Sequence, residues 1–219
     1  MGGEAHYTVQ TGHNRQAVFI DSEDREAFLQ SMRRASLAET VAVHGYTLLD
    51  NEVHLVATPA TAQGLSRFMQ ALSRQHGTRF NRRHGHVGTL WSSRFRSTVV
   101  DPDGYLTICL RCVERLSLPA ACWSSAAHHL GLQRDPLLSE HLCYWTLGNT
   151  PFEREAAWTQ ALKQALTEEQ LGNLQRSLQS GLPFGGTEFC QRVARASGRP
   201  TTPARRGRPR KTSILSPIF

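Results

Sequence analysis

Glu52 and His54 stand two residues apart in the apolar run Leu48-Leu49-Asp50-Asn51-Glu52-Val53-His54-Leu55-Val56. Strand side chains alternate sides with period two, so both would point to one face. A carboxylate and an imidazole placed that way can hold a divalent cation, and a cation there can polarise a phosphate. Without a cation, Glu52 has two other partners open to it: His54 itself or a nearby arginine. Cys109 and Cys112 have the spacing of half a zinc site. No second pair follows, and the surrounding pattern is that of an apolar helix, which favours two buried thiols. Tyr105 lies two turns before Cys112 on the same helix face, about 10 Å away along the axis. It can pack on a sheet or serve as a nucleophile. His84 and His86 flank Gly85 in an arginine-rich turn, where they either contact phosphate or form an ordinary polar loop. Trp91 and Trp123 are either core residues or platforms on which unpaired bases stack.

Charge points to the kind of partner. The formal net charge is +7 over 219 residues, and it is unevenly placed. Between Gly64 and Val100 there are seven arginines (Arg67, Arg74, Arg79, Arg82, Arg83, Arg94 and Arg96) and no acid. From Arg199 to Phe219 there are six more basic residues, Arg206 and Arg208 among them, and again no acid. The rest of the chain is net acidic. A basic zone set against an acidic remainder is the footprint of a polyanion partner. Arginine outnumbers lysine 23 to 2, and its planar fork suits phosphate and guanine edges. The five cysteines have no framework spacing, there is no recognisable signal peptide, and no apolar run is long enough to span a bilayer. These features predict a reducing, cytoplasmic setting with free thiols.

The elements that must position these residues follow from periodicity. His6 to Thr11 alternates as a strand and leads into a Gly-His-Asn turn. Asp21-Ser22-Glu23-Asp24 opens a helix carrying Phe28, Leu29, Met32 and Ala35 at helical spacing. Val41 to Leu49 and Glu52 to Thr58 form a hairpin about Asp50-Asn51. Leu65, Phe68, Met69 and Leu72 make the next helical stripe, which ends near Gly85. Phe95 to Val100 reads as a strand. Asp101-Pro102-Asp103 is expected to cap and open a helix with Tyr105, Ile108, Cys109, Cys112 and Val113 on its buried side. The order β-α-β-β-α-β-α predicts an α+β fold: a ferredoxin-like antiparallel sheet with packed helices. Beyond Cys122 the texture changes to short helices over 137–147, 152–166, 167–178 and 187–196. Thr167-Glu168-Glu169-Gln170 has the pattern of a capping box. The expected division is a sheet-and-helix domain over 1–120, a helical extension over 121–197 and a disordered basic tail over 198–219.

One set of cues carries a resemblance. It comprises His6-Tyr7-Thr8-Val9-Gln10, Asn14-Arg15, Val18-Phe19, Asn51-Glu52-Val53-His54-Leu55, Phe80-Asn81-Arg82-Arg83-His84, Gly88-Thr89-Leu90-Trp91, Arg94-Phe95-Arg96-Ser97 and Trp123-Ser124-Ser125. Later come Asp135-Pro136-Leu137-Leu138, Leu147-Gly148, Arg154 and Arg206-Gly207-Arg208-Pro209. In order and spacing these resemble the REP-associated tyrosine transposases, within the single-strand transposases of the His-hydrophobic-His type, from about His6 to Pro209. The resemblance implies a bacterial, cytoplasmic, nucleoid-associated protein that binds hairpin-forming single-stranded DNA from repetitive extragenic palindromes. Active members cut and rejoin that DNA through a tyrosine, with two histidines and a third polar ligand holding Mg²⁺ or Mn²⁺.

The chain departs from this pattern where the chemistry lies. Where the family strand has Pro-Asn-His-Val-His, this one has Asp50-Asn51-Glu52-Val53-His54. Where the family helix has Arg-Tyr-Ile-Glu-Leu-Asn-Pro-Val-Arg-Ala, this one has Arg111-Cys112-Val113-Glu114-Arg115-Leu116-Ser117-Leu118-Pro119-Ala120. The nucleophile position is Cys112, and the third ligand position is Leu116, which has no ligand atom. A segment that usually follows this helix is missing. The resemblance thus implies a degenerate transposase that keeps its DNA-binding scaffold, with the arginines above as DNA contacts and a weakened or lost metal site at Glu52 and His54. Two readings stay open beside it: an active metal-dependent endonuclease using Glu52 and His54, and a decayed gene product. Arg206-Gly207-Arg208-Pro209 resembles an AT-hook core, which suits a narrow minor groove.

Overall fold

The computed structural model describes residues 1–92, 94–118 and 122–198. The first seven strands and α-helices are β1 (Ala5–Thr11), α1 (Ser22–Glu39), β2 (Val41–Leu48), β3 (Glu52–Pro59), α2 (Gly64–His84), β4 (Arg96–Val100) and α3 (Tyr105–Arg115). They form one antiparallel sheet in the order β2-β3-β1-β4, the split arrangement expected of a ferredoxin-like fold. Alternation along the strands sends side chains to two cores. On one face Phe28 and Met32 of α1 and Phe68, Met69 and Leu72 of α2 pack against Val53, Leu55 and Ala57. On the other, Leu106, Cys109, Leu110 and Val113 of α3 pack against Ala5, Tyr7, Val56 and Val100.

Local chemistry explains the ends of these elements. The Asp21 carboxylate accepts from the Asp24 N–H and caps α1. Gly85, at φ 63°, closes α2 with its N–H on the Asn81 carbonyl. A bulge between Val43 and Gly45 shifts the alternation of β2 by one, so Thr47 turns toward α3 and donates to the Val113 carbonyl at 2.7 Å. A Cβ on Gly45 would meet Leu110 Cδ2 at 2.6 Å, so a larger residue there would have to displace the Leu110 side chain that α3 packs against the sheet.

The C-terminal half adds α4 (Ala126–His129), α5 (Leu142–Trp145), α6 (Pro151–Lys163), α7 (Glu168–Ser180) and α8 (Thr187–Ser197). The Thr167/Gln170 capping box is present, and Thr150/Glu153 forms a second at the start of α6. Trp158, Leu162, Leu174 and Phe184 enter the same core as α3. Phe184 accepts from Asp101 N and donates to Val99 O, so this segment covers the outer edge of β4.

Two local expectations are corrected. Asp101 does not cap α3, which starts at Tyr105 behind Gly104 with no side-chain cap. Its carboxylate oxygens are taken by Asp103 N (3.1 Å) and Gly186 N (3.0 Å), so it ties β4 to the start of α8. The helix expected over 137–147 is helical only at Leu142–Trp145, and α4 was not expected at all. Tertiary pairing overrides helix propensity here, because Ser139 N donates to Val43 O and Leu138 bridges to β2. The tail, with Arg206 and Arg208, lies outside the described residues. Among the described residues no helix is long and apolar enough to cross a membrane.

Buried imidazoles give the fold a pH dependence. His44 is hydrogen-bonded to Ser139 O (2.6 Å) and Thr58 Oγ1 (2.8 Å), and burial depresses its pKa to about 4. Burial also lowers His76. The unfolded chain protonates these groups near pH 6.5 while the folded chain does not. Stability is therefore full above that pH and falls as acid is added, with His44 contributing down to about pH 4 at up to about 1.4 kcal/mol per pH unit. Urea midpoints are expected to drop between pH 7 and pH 5, and His44→Gln should flatten that drop.

Candidate active site and nucleic-acid interface

Strand register assembles the first cluster. In the β1–β3 pair Val9 lies opposite His54 and Thr11 opposite Glu52, so Tyr7, Thr11, Glu52 and His54 share the face that α3 covers. Tyr7 is buried, and burial, followed by the nearby Cys112 and Cys109 thiols and Glu52, pushes its phenol pKa well up. It therefore keeps its proton and donates to His54 Nδ1 at 2.7 Å. His54 then carries its own proton on Nε2, facing Glu52 Oε2 at 3.2 Å. The other Glu52 oxygen accepts from Thr11 Oγ1 at 3.3 Å. The hydrogen bond from His54 holds the Glu52 carboxyl below its ordinary range, against the opposing effect of partial burial. Of the two partners open to Glu52, the structure pairs it with His54, while Arg15 adds only a longer-range attraction.

On the α3 side, Cys112 is half-buried and close enough to Tyr7 to bear on its phenol. Burial raises the Cys112 thiol pKa, and Arg115 only partly offsets this. A thiol held protonated is a weak nucleophile. At pH 8 a disulfide reagent should label exposed Cys122 at least about tenfold faster than Cys112, read by peptide mass mapping. Equal rates would reveal an activated Cys112. Tyr105 sits edge-on to Phe184 at 5.0 Å, a packing role. Leu116 is 41% exposed and offers no donor.

These residues do not fit a resident divalent cation. Both His54 nitrogens are hydrogen-bonded, and the Leu116 position has nothing to give. Among the described residues no three His, Cys, Asp or Glu side chains come together as a metal site. A six-ligand oxygen-rich shell would have to come mostly from water and substrate.

A second cluster was not foreseen. Glu114, fully buried, accepts from Ser125 Oγ (2.6 Å), His129 Nδ1 (2.5 Å) and Trp158 Nε1 (2.7 Å). One carboxylate thus joins α3 to α4 and α6. The Trp-Ser-Ser cue acquires a physical reason: Trp123 O accepts from Leu48 N, Ser124 Oγ meets Ser117 Oγ at 2.7 Å, and Ser125 reaches Glu114. A buried acid in an otherwise apolar helix stripe was the available signal.

The arginines divide into two groups. Arg67 pairs with Glu39 at 2.5 Å, Arg79 with Glu23 at 2.6 Å, and Arg83 with Asp21, Glu23 and Asp24 at 2.6, 2.9 and 2.7 Å. His84 joins this cluster through Asp24, and His86 bonds Asn81. Their charge is compensated by α1 and the residues that open it. Arg74, Arg94 and Arg96 instead line a cleft of about 1040 Å³ between α2, Trp91, the 94–97 stretch and the end of α7, with no acid among the described lining residues. Arg82 is exposed, and like Arg74 and Arg96 it forms no ion pair among the described residues. Trp91 is a wall of this cleft and also a core residue, its Nε1 donating to Ser73 O at 3.1 Å. Trp123 packs on the core beneath Arg25.

Residues 4–114 match the model of a family described as "Transposase IS200 like". Among solved structures the chain is similar to a REP-associated tyrosine transposase bound to a REP hairpin, with 11% identity, a TM-score of 0.49, and coverage of 64% of this chain and 87% of that one. It is also similar to a presumed transposase from Deinococcus radiodurans R1, with 19% identity, a TM-score of 0.37, and coverage of 44% and 78%. No curated protein matches.

Proposed function

The chain belongs to the IS200-like transposase family, and from that premise we propose that it binds hairpin-forming single-stranded DNA without cutting it. One observation carries the binding: Arg74, Arg94 and Arg96 meet at a cleft that has no acid among its described lining residues. Guanidinium forks in such a setting suit phosphate, and an aromatic wall suits unpaired bases. The loss of cutting rests on chemistry. Tyr7 and Glu52 occupy both nitrogens of His54, the thiol at the nucleophile position is held protonated, and Leu116 supplies no third ligand. Glu52 and His54 are then remnants of a catalytic centre that now tie β3 to β1, and Cys112 packs against the core that α3 shares with the sheet. The domain roles follow the same division: residues 1–120 grip DNA and residues 121–197 brace the grip.

Electrophoretic shift and product gels with a palindromic hairpin oligonucleotide test both halves. The expected result is a shift at low salt and no nicked product with Mg²⁺ or Mn²⁺. Absence of a shift at low salt overturns the binding. Nicking by the wild type that disappears in His54→Ala would restore the endonuclease reading. A cooperative thermal melt is expected, as two filled cores require, and its absence would favour a decayed product.

A further inference from the structure

Arg154 is one of the late sequence cues, and neither the Glu52–His54 cluster nor the arginine cleft uses it. It is 6% exposed, and its guanidinium lies over the Trp145 ring, 4.3 Å from the centroid. Nη1 donates to Gly148 O at 3.1 Å. Nε is buried without a partner, Nη2 makes no hydrogen bond to a described residue, and no described carboxylate pairs with the group. Nε and Nη2 form an edge by which arginine takes a carboxylate with two parallel bonds. A buried cation with that edge open is costly unless a partner arrives. Arg154 lines a pocket of about 730 Å³ between α4, α5, the start of α6 and the 133–140 stretch, and this pocket shares no lining residue with the arginine cleft. Glu155 lines it too. A Cβ on Gly131 would fall 2.5 Å from Glu155 Oε2, so the bare glycine, at φ 71°, leaves the carboxylate its place. That carboxylate accepts no hydrogen bond from a described residue. Of the other acids in the lining, Asp135 is taken up by Tyr46 (2.8 Å) and Leu137 N (2.9 Å), and Glu140 stands 3.4 Å from His128 Nε2. Burial, then Glu140 and Glu155, push the Tyr144 phenol up to about 12 against the pull of Arg154, so both signs of charge converge on one hydroxyl.

We propose that this pocket binds a free amino acid by its zwitterionic head, with the carboxylate on the Nε–Nη2 edge of Arg154 and the ammonium at Glu155. The inference is independent of the DNA-binding reading. The two signs of charge narrow the ligand. A phosphate-rich strand would meet Glu140 and Glu155, and a bare amine would meet Arg154, so each alone leaves one fixed charge opposed. A zwitterion answers both. The volume lies within the range of small-ligand pockets, roughly 300–1,000 Å³, and exceeds what the head group fills, so a side chain enters with it. Trp145, half-exposed, offers that side chain an apolar wall. Arg154 and Glu155 are the binding residues in this scheme, and Glu140 strengthens the ammonium end by its charge.

Equilibrium dialysis of the full chain against each proteinogenic L-amino acid in turn tests it. At least one is expected to bind with a Kd below about 0.1 mM. For the tightest, the decarboxylated amine and the deaminated acid should each bind at least about tenfold more weakly, since each leaves one charge unanswered. Glu155→Gln removes a carboxylate that no described group bonds, so it should melt as the wild type does. It should weaken the amino acid at least about tenfold and leave the deaminated acid unchanged. Arg154→Lys keeps the charge without the fork and should weaken the amino acid and the deaminated acid alike. Should Arg154→Lys fail to melt cooperatively, Glu155→Gln and the two analogues decide. Retention of no amino acid at about 1 mM free ligand overturns the inference and leaves Arg154 as a brace for Gly148 and Trp145. A deaminated acid that binds as tightly as the amino acid makes this a plain anion site and overturns the zwitterion. Binding that is unchanged in Glu155→Gln places the ligand elsewhere and overturns the site.

Discussion

Glu114→Ala is expected to destabilise the fold by about 3–5 kcal/mol, because it strips a buried histidine and two other donors of their shared acceptor at once. Glu114 is 0% exposed and His129 1% exposed, so water cannot replace the carboxylate without a change of structure. Trp158, 1% exposed, loses its indole partner, and Ser125 loses the contact that fixes the residues beside β2. Urea denaturation followed by tryptophan emission measures the loss, since Trp158 reports on whether α6 stays docked. Glu114→Gln should retain part of the stability by keeping one carbonyl acceptor. His129→Ala should cost less in the Glu114→Ala background than in the wild type, by at least about 1 kcal/mol of coupling, because the two act as a unit. A loss under about 1 kcal/mol for Glu114→Ala would mean that the network is not what joins the two halves of the chain.

This anchoring role changes how the altered chemistry is understood. In the helix that resembles the family's tyrosine helix, the nucleophile and third-ligand positions have become Cys112 and Leu116, while the acid that holds the C-terminal helices stays as Glu114. Under the proposed function, the acid that positions the scaffold is kept only two residues along the helix from each of the two altered positions. Tyr7 follows the same logic. Its phenol fills the second nitrogen of His54, so the strand pair gains a buried hydrogen bond where a catalytic site would need an open coordination position. His54→Ala would leave the Tyr7 hydroxyl unpaired in the core, at a cost of about 1–3 kcal/mol, so a drop in function in that variant has to be separated from a drop in folding.

How much of this was legible differs by the range over which the forces act. Alternation and helical spacing are local, and they placed β1 through α3 and the ferredoxin-like sheet closely. The same local information put Glu52 and His54 on one face, since period two does not depend on the rest of the fold. Strand register is not local. Nothing in the chain before folding says that Val9 stands opposite His54, so Tyr7 as the partner of that histidine could not be read. The Asp101 cap failed for a related reason: a contact 85 residues away, at Gly186, uses the oxygen that a cap would need. The stretch 137–147 failed because pairing with Val43 outweighs weak helix propensity.

Charge shows the sharpest division between sequence and fold, and it leads to a quantitative expectation. The acid-free stretch from Gly64 to Val100 reads as one basic patch, but folding lays α2 beside α1. Arg67, Arg79 and Arg83 then meet acids 28 to 62 residues distant in the chain. Arg74 and Arg96, on the cleft side, do not. Phosphate contacts by arginine release counterions, and for single strands the slope of log K against log salt is about −0.7 per contact. Arg74→Ala and Arg96→Ala are each expected to reduce the slope by about 0.7 and to weaken binding most at low salt. Arg79→Ala should leave the slope unchanged and shift stability by less than about 1 kcal/mol, as exposed pairs do. Arg83→Ala should act on folding instead, because the Asp24 side chain it pairs with is 1% exposed and would lose an acceptor's partner in the core. Anisotropy titrations across a fourfold salt range separate these cases. If Arg67 and Arg79 carried the slope and Arg74 and Arg96 did not, DNA would have to lie over the α1–α2 surface, and the cleft would lose its claim as the binding site.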